Sequence, residues 1–408
     1  MTEHPPLVAG DRSFPTLNAV RGIGAVMVVA THAAFNTGQI LHGWTGGVWA
    51  RLDFGVTLFF ILSGFLLSRP FFLATARGDR GPSVRHYLWK RALRVLPLYW
   101  LMVVVALTLD PANAGAGWSA WTQELTLTQL YFPRLLPVGL TQMWSLCTEV
   151  AFYVLLPVLC LALVRRRRRP GLHLPTLWWR AGVVAGLGVA WQAWFARVPG
   201  SEGHYLQWLP GYLPWFLVGV CFAAVSASLA TTPRDHVLER MGHDLVGCWI
   251  LATALFAIAC TPVAGPRTLT MPLAWQEGAK IVLYTAAGAF YLLPLLFGPV
   301  RDGHVRRHLA GPFFTWLGDI SYGIFAIHLF VMGALFRILG IASFTGHFGT
   351  ILLTDLLVTC ALATLSYKLF ERPILRLKNP GRLRRLEPAP RVEAVAAEGF
   401  DASGTGSR

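Results

Sequence analysis

The sequence predicts an all-α integral membrane protein: a bundle of about ten transmembrane helices, with the N- and C-termini cytoplasmic. Three observations predict it. Hydrophobic residues make up 54% of the 408 and charged residues only 13%, about half the roughly 25% charge of a soluble globular protein. The apolar residues gather into ten runs, each near the ~20 residues that cross a bilayer. The basic residues fall in blocks between alternate runs.

The runs lie near residues 17–36, 54–73, 95–112, 144–164, 179–196, 208–229, 246–264, 279–298, 313–338 and 349–370. With the N-terminus inside, the cytoplasmic segments hold Arg77, Arg80, Arg85, Lys90, Arg91 and Arg94, then the RRRRR run at 165–169. They also hold Arg234, Arg240, Arg301, Arg306, Arg307 and the tail from Arg372. The opposite segments and their helix ends hold only Arg51, Arg134, Arg197, Arg267, Lys280 and Arg337. One helix more or fewer would invert the pattern downstream, so the count and the positive-inside bias support each other. The same bias accounts for the net charge of +15 without a nucleic-acid partner.

Three segments follow. Residues 1–16 are a cytoplasmic tail, 17–373 a single membrane domain, and 374–408 a basic and then disordered tail. LEPAPRVEAVAAEGFDASGTGSR, after Arg385, has no periodic apolar face. The first run lacks the cleavage site of a signal peptide and is read as a retained helix. The longest outside stretch, roughly 113–143, holds GWSAWTQELTLTQLYF, whose aromatics suit an amphipathic segment at the interface. The small-x-x-x-small pattern GVVAG at 182–186 reads as a helix-packing site. Six isolated cysteines in apolar surroundings read as small buried hydrophobes, so neither a disulfide framework nor a metal site is expected.

The first run, RGIGAVMVVATHAAF, opens with Arg21 and reaches His32 with nothing charged between. Eleven residues turn a helix by about 1100°, so the two share a face roughly 20° apart and are separated by about 16 Å in depth. Ionisable groups inside a membrane are costly and point to function. Taken singly, Arg21 could be a snorkelling anchor and His32 a hydrogen-bonding link between helices. Together they fit a long ligand, anionic at one end and reactive at the other. A guanidinium fork suits phosphate, and an imidazole suits proton abstraction from a hydroxyl. Acyl-coenzyme A has that shape.

Further blocks follow in order: FGVTLFFILSGFLLSRPF (54–71), KRALRVLPLYW (90–100), MWSLCTEVAFYVLLP (143–157), LGDISYGIFAIHLF (317–330) and ERP (371–373). With the R-x10-H of the first helix, they make the chain resemble the acyltransferase-3 family of multi-pass membrane acyltransferases. The resemblance runs through helices one to ten and leaves out the two tails. It implies a cell-membrane enzyme that O-acylates a hydroxyl of a carbohydrate or of a glycosylated or polyketide acceptor. The donor implied is acyl-CoA, with acetyl-CoA the commonest choice, and no permanently bound cofactor is implied. Family members with an extra hydrolase-like domain are much longer, so this chain is expected to act alone.

The blocks supply the remaining candidates. Arg91 and Arg94, three apart on one helix face, are either positive-inside anchors or, with Arg21, a phosphate-binding rim. Glu149 is placed at about the depth of His32, where it could orient the imidazole as in the hydrolase triads, hold acceptor hydroxyls, or sit exposed at the interface. Trp144, Ser145 and Tyr153 suit the acceptor wall, although aromatic belts are common at that depth. Ser63 lacks the G-x-S-x-G context of a nucleophile. With Gly64 it reads as room for the pantetheine arm or for close helix packing. His328 belongs to the SY…H block and reads as structural or pocket-lining, second to His32 as a catalyst, and Glu371 with Arg372 reads as an ion pair. The rival reading is a transporter that uses Arg21 and His32 as a substrate clamp or proton relay, which moves substrate without a covalent product.

Overall fold

The computed structural model describes residues 14–132, 135–164, 171–198, 205–233, 235–268, 270–299 and 303–377. The RRRRR run, Arg134, Arg234, Arg301 and most of both expected tails lie outside the described residues.

The described residues are helical, without strands. In chain order the helices are α1 (Thr16–Asn36), α2 (Gly46–Arg51), α3 (Phe54–Arg77), α4 (Val84–Leu109), α5 (Trp118–Leu125), α6 (Met143–Leu163), α7 (Leu174–Phe195) and α8 (Leu209–Thr231). They continue with α9 (Val237–His243), α10 (Leu245–Ala259), α11 (Ala274–Phe297), α12 (His304–Leu309), α13 (Pro312–Leu339), α14 (Phe348–Ser366) and α15 (Arg372–Arg376). A five-residue π-turn, Tyr367–Glu371, joins the last two.

Among the described residues eight helices are long and apolar enough to cross a membrane, or nine when α9 and α10, bent by 92°, count as one. The expected helix near 179–196 is α7. Its 22 residues are long enough, but Arg180, Gln192 and four tryptophans lower its apolarity. The helix expected near 246–264 is α10, only 15 residues long. It is broken from α9 at Asp244, whose carboxylate caps α10 by accepting from the Gly247 amide at 2.8 Å. The interfacial segment expected near 113–143 is α5 and its flanking turns.

Small residues set how closely the central helices approach. A Cβ on Gly55 would collide with the Gly24 carbonyl oxygen, where α3 crosses α1. A Cβ on Gly64 or Gly219 would collide with the backbone of Phe216 or Ile61, where α3 crosses α8. Helix α13 packs along α1 and in turn against α14. Glycines at such crossings let backbones meet where no hydrophobic drive separates protein from lipid. The GVVAG pattern does otherwise: a Cβ on Gly182 or Gly186 would meet nothing within 4 Å. The crossing of α7 with α8 uses Gly188 instead, which packs on Pro210 and Pro214.

The end of the bundle at which α1 starts is termed proximal below, and the opposite end distal. Since α1 and α13 enter from the proximal end and α6 from the distal one, their side chains converge on the space beside α3.

Candidate functional site

Arg21 begins the second turn of α1, and Arg91 and Arg94 lie two to three turns into α4. All three guanidinium groups line one cavity of about 370 Å³. Ser63 on α3 and Ser145, Glu149 and Tyr153 on α6 line it as well. Seven of the ten residues singled out from the sequence therefore share one space, although they come from four helices.

The cavity's cationic wall is held from several sides. The Arg94 guanidinium lies 3.6 Å from the Glu371 carboxylate and over the ring of Tyr322, 5.9 Å from its centroid. Tyr322 in turn donates to the Val95 carbonyl at 2.7 Å, which ties α13 to α4. The π-turn carries Glu371, on the last helical turns before α15, into this contact, a common use of π geometry. Arg94, and not Arg372, is thus the near partner of Glu371. The Nε of Arg91 is buried without a hydrogen-bond partner, so Arg91 retains unused donor capacity beside the cavity.

Glu149 accepts a short hydrogen bond from the Ser63 hydroxyl. Of the three readings open to Glu149, this contact speaks against the one in which it orients His32. Two turns inside α6, it faces α3 and the arginine cavity, and the polar partners of the His32 ring lie elsewhere.

His32 is half-buried. Its Nδ1 lies 2.9 Å from the Val28 carbonyl oxygen and 3.1 Å from Nε2 of His328. The two rings are 5.1 Å apart and tilted by 37°. His328 is fully buried, with its Nδ1 3.1 Å from the Ile324 and 2.8 Å from the Phe325 carbonyl oxygens. One turn further along α1, Asn36 donates to the His32 carbonyl at 2.8 Å. Neither histidine lines the arginine cavity. Trp144 also stands apart from it, its ring 5.2 Å from that of Tyr212.

One ring of the cavity wall borders the histidine pair. Phe59 and Phe325 both line the cavity, and Phe325 lies 6.3 Å from His328 between ring centroids. Both sit inside the quoted blocks, but a block does not tell which of its rings meets a cavity. The site therefore has two parts: a cavity with three arginines, and a histidine pair about 16 Å along α1 from Arg21.

The acyltransferase domain family matches residues 14–367. The chain is 22% identical to the peptidoglycan O-acetyltransferase OatA of Listeria monocytogenes, over 88% of this chain and 55% of that one, so it spans about half the length of that relative. It is 26% identical to nodulation protein 10 of Rhizobium leguminosarum bv. viciae, covering 82% of this chain and 85% of the relative. With the acyltransferase MdmB of Streptomyces mycarofaciens it shares 25% identity over 95% and 96% of the two chains. No solved structure matches significantly. On a match across residues 14–367, the chain belongs to the acyltransferase domain family, as a multi-pass membrane protein.

Proposed function

We propose that the protein is a cell-membrane O-acyltransferase that moves an acyl group, acetyl first among the choices, from acyl-CoA to a hydroxyl of a carbohydrate or of a glycosylated or polyketide acceptor. The observation that carries the reading is the arginine cavity placed proximal to His32 along one helix. The relatives support the reaction class: one is named for O-acetylating peptidoglycan and one as an acyltransferase.

The donor enters from the proximal end, taken as cytoplasmic on the basic residues of the sequence. Arg21, Arg91 and Arg94 bind its phosphates, since guanidinium forks hold phosphate oxygens in pairs. The arm passes Ser63, Ser145 and Glu149 towards the distal half, and Tyr153 completes that wall. His32 Nε2 takes the proton from the acceptor hydroxyl, and the oxygen attacks the thioester carbonyl. The C–S bond then breaks, and the departing thiolate takes the proton from His32. General-base assistance of this kind contributes about 10²–10⁴-fold. Trp144 lies at the distal start of α6, on the side from which an acceptor sugar reaches His32.

The test separates donor from chemistry. Acetyl-CoA at ~100 times its Kd should stabilise the detergent-purified protein by about 2.7 kcal/mol. Arg21→Ala should abolish that stabilisation. His32→Ala should keep it and lose acyl transfer in native membranes. A folded His32→Ala protein with full transfer removes His32 from the mechanism. Substrate flux without covalent product, and no stabilisation by any acyl-CoA, would replace the enzyme with a transporter.

A further inference from the structure

We infer that His328 is a positioning residue: it fixes the tautomer and orientation of His32, so that His32 Nε2 presents its lone pair to the acceptor. The inference rests on the reading of His32 as general base and adds to it the group that makes His32 a base at the correct nitrogen.

The hydrogen-bond partners assign the hydrogens. A carbonyl oxygen only accepts, so each imidazole nitrogen facing one must carry a hydrogen. His328 Nδ1 faces two carbonyl oxygens, of Ile324 and Phe325. It is therefore the N–H, and His328 Nε2 bears the lone pair. His32 Nδ1 faces the Val28 carbonyl, so it is the N–H of its ring, and it also lies 3.1 Å from that lone pair. Both neighbours of His32 Nδ1 are acceptors, which leaves Nε2 of His32 as the base. A carboxylate in a hydrolase triad does the same to its histidine. Here the partner is a second imidazole from a helix 296 residues away in sequence.

The same geometry excludes a relay. A proton passed from His32 to His328 Nε2 would have to leave from His328 Nδ1. That nitrogen is committed to carbonyl oxygens of its own helix, in a fully buried ring. The chain of hydrogen bonds ends there. When His32 Nε2 takes the acceptor proton, the charge that forms on the ring is met at Nδ1–H by the His328 lone pair and the Val28 oxygen. The proton leaves by the route it came, to the thiolate sulfur. His328 orients the base and stabilises its charged form without carrying a proton away.

The readout should not depend on the unidentified acceptor. Diethyl pyrocarbonate acylates the lone-pair nitrogen of an accessible imidazole, and the rate at His32 can be followed by peptide mass spectrometry on the detergent-purified full chain. His328→Gln can place a carbonyl oxygen near the position of Nε2 and restore an acceptor for His32 Nδ1–H. His328→Phe keeps a ring and offers no acceptor. The expected result is modification of His32 at near the wild-type rate in His328→Gln and slowed about tenfold in His328→Phe, the value of one orienting hydrogen bond. Labelled-histidine NMR should show His32 as the Nδ1–H tautomer in the wild type and in His328→Gln, and a larger share of the Nε2–H tautomer in His328→Phe, where the Val28 carbonyl, already the acceptor of its own helix, is the one acceptor left at Nδ1. Thermal stabilisation by acetyl-CoA serves as the control for folding and donor binding in every variant. Wild-type reactivity and a single tautomer in folded His328→Phe would overturn the inference. Equal slowing in both folded variants would do so too, since ring shape alone would then matter. If the wild type shows no stabilisation by acetyl-CoA while the histidine results hold, the donor reading fails and the orienting role stands.

Discussion

The rings of Phe59 and Phe325 meet edge to face, 6.5 Å apart between centroids and at 79°, in the wall of the arginine cavity. Phe59 covers Gly24, which α1 places between those two residues, and Phe325 borders His328. A Cβ at 24 would stand 3.3 Å from both the Phe59 ring and the Gly55 carbonyl oxygen, so the ring or the crossing would have to give by a few tenths of an ångström. In the proposed reaction an acyl group carried from the arginines to the histidines passes these rings, and their bulk limits its size.

Phe59→Ala should therefore loosen selection for acyl length. A pocket discriminates about 10- to 200-fold per methylene at most, so the ratio of Kd values for hexanoyl-CoA and acetyl-CoA should shift by about tenfold or more towards hexanoyl-CoA. Thermal-shift titration of both donors measures it without an acceptor. An unchanged ratio in a folded variant would place the length limit elsewhere.

Glu371 stands where a donor phosphate is proposed to bind, 3.6 Å from Arg94 with its own side chain only 4% exposed. Removing its charge should have opposite effects on stability and on binding. Glu371→Gln leaves Arg94 without its counter-charge, and loss of a buried charged partner costs about 1–3 kcal/mol, seen as a lower Tm of the free protein. The same change frees Arg94 for phosphate, so the Kd for coenzyme A should fall several-fold. A Kd that rises with the loss of Glu371 would mean that the carboxylate holds Arg94 in its binding pose.

Arg91 offers a sharper test of fork against charge. Its Nε is buried and unpartnered in the cavity wall, a donor that a lysine ammonium does not reproduce. Arg91→Lys should keep the positive charge yet weaken acetyl-CoA binding about tenfold, because paired donors to phosphate are lost. Affinity equal to wild type in titration would reduce Arg91 to a point charge.

How far these parts were legible in the sequence depends on what carries each one. A bilayer demands about 20 apolar residues per crossing, so the long runs reveal α1, α3, α4 and α13 directly. The criterion weakens at α7, with its Trp, Arg and Gln, and at α10, which a capping aspartate cuts short. The arginines and Ser63, Glu149 and Tyr153 stand out because charge and hydroxyl are costly in an apolar run. That they share one cavity depends on helix rotation, which no single run specifies. The partnership of His32 with His328 was not legible at all. It arises because α1 and α13 pack side by side, with Gly22 against Leu317 and Gly318 against Asn18, so that two histidines far apart in sequence arrive at one level. The same holds for Glu149: which of its three readings applies depends on its packing, and the structure turns it to Ser63 and the arginine cavity.

The glycines give this distinction a direct measurement. GVVAG at 182–186 has the small-x-x-x-small spacing and the glycines of α3, nine residues apart, do not, yet only the latter meet another backbone. In a helix interior alanine is better than glycine by about 1 kcal/mol, so Gly182→Ala and Gly186→Ala, with nothing within 4 Å of the added Cβ, should leave Tm unchanged or raise it. Gly55→Ala and Gly64→Ala put the same methyl into the Gly24 and Phe216 carbonyl oxygens, and the helices must separate to accept it. Overpacking of that kind typically costs about 1–3 kcal/mol. At Gly55 it acts on the crossing that sets Phe59 over α1, so acetyl-CoA stabilisation should shrink together with Tm. Gly64→Ala acts on the crossing of α3 with α8, beside Ser63, and should lower Tm as well. Thermal unfolding of the four variants, with and without acetyl-CoA, separates the two classes. Equal Tm values across all four would mean that the α3 crossings yield to a methyl group, and that close approach is not what positions this site.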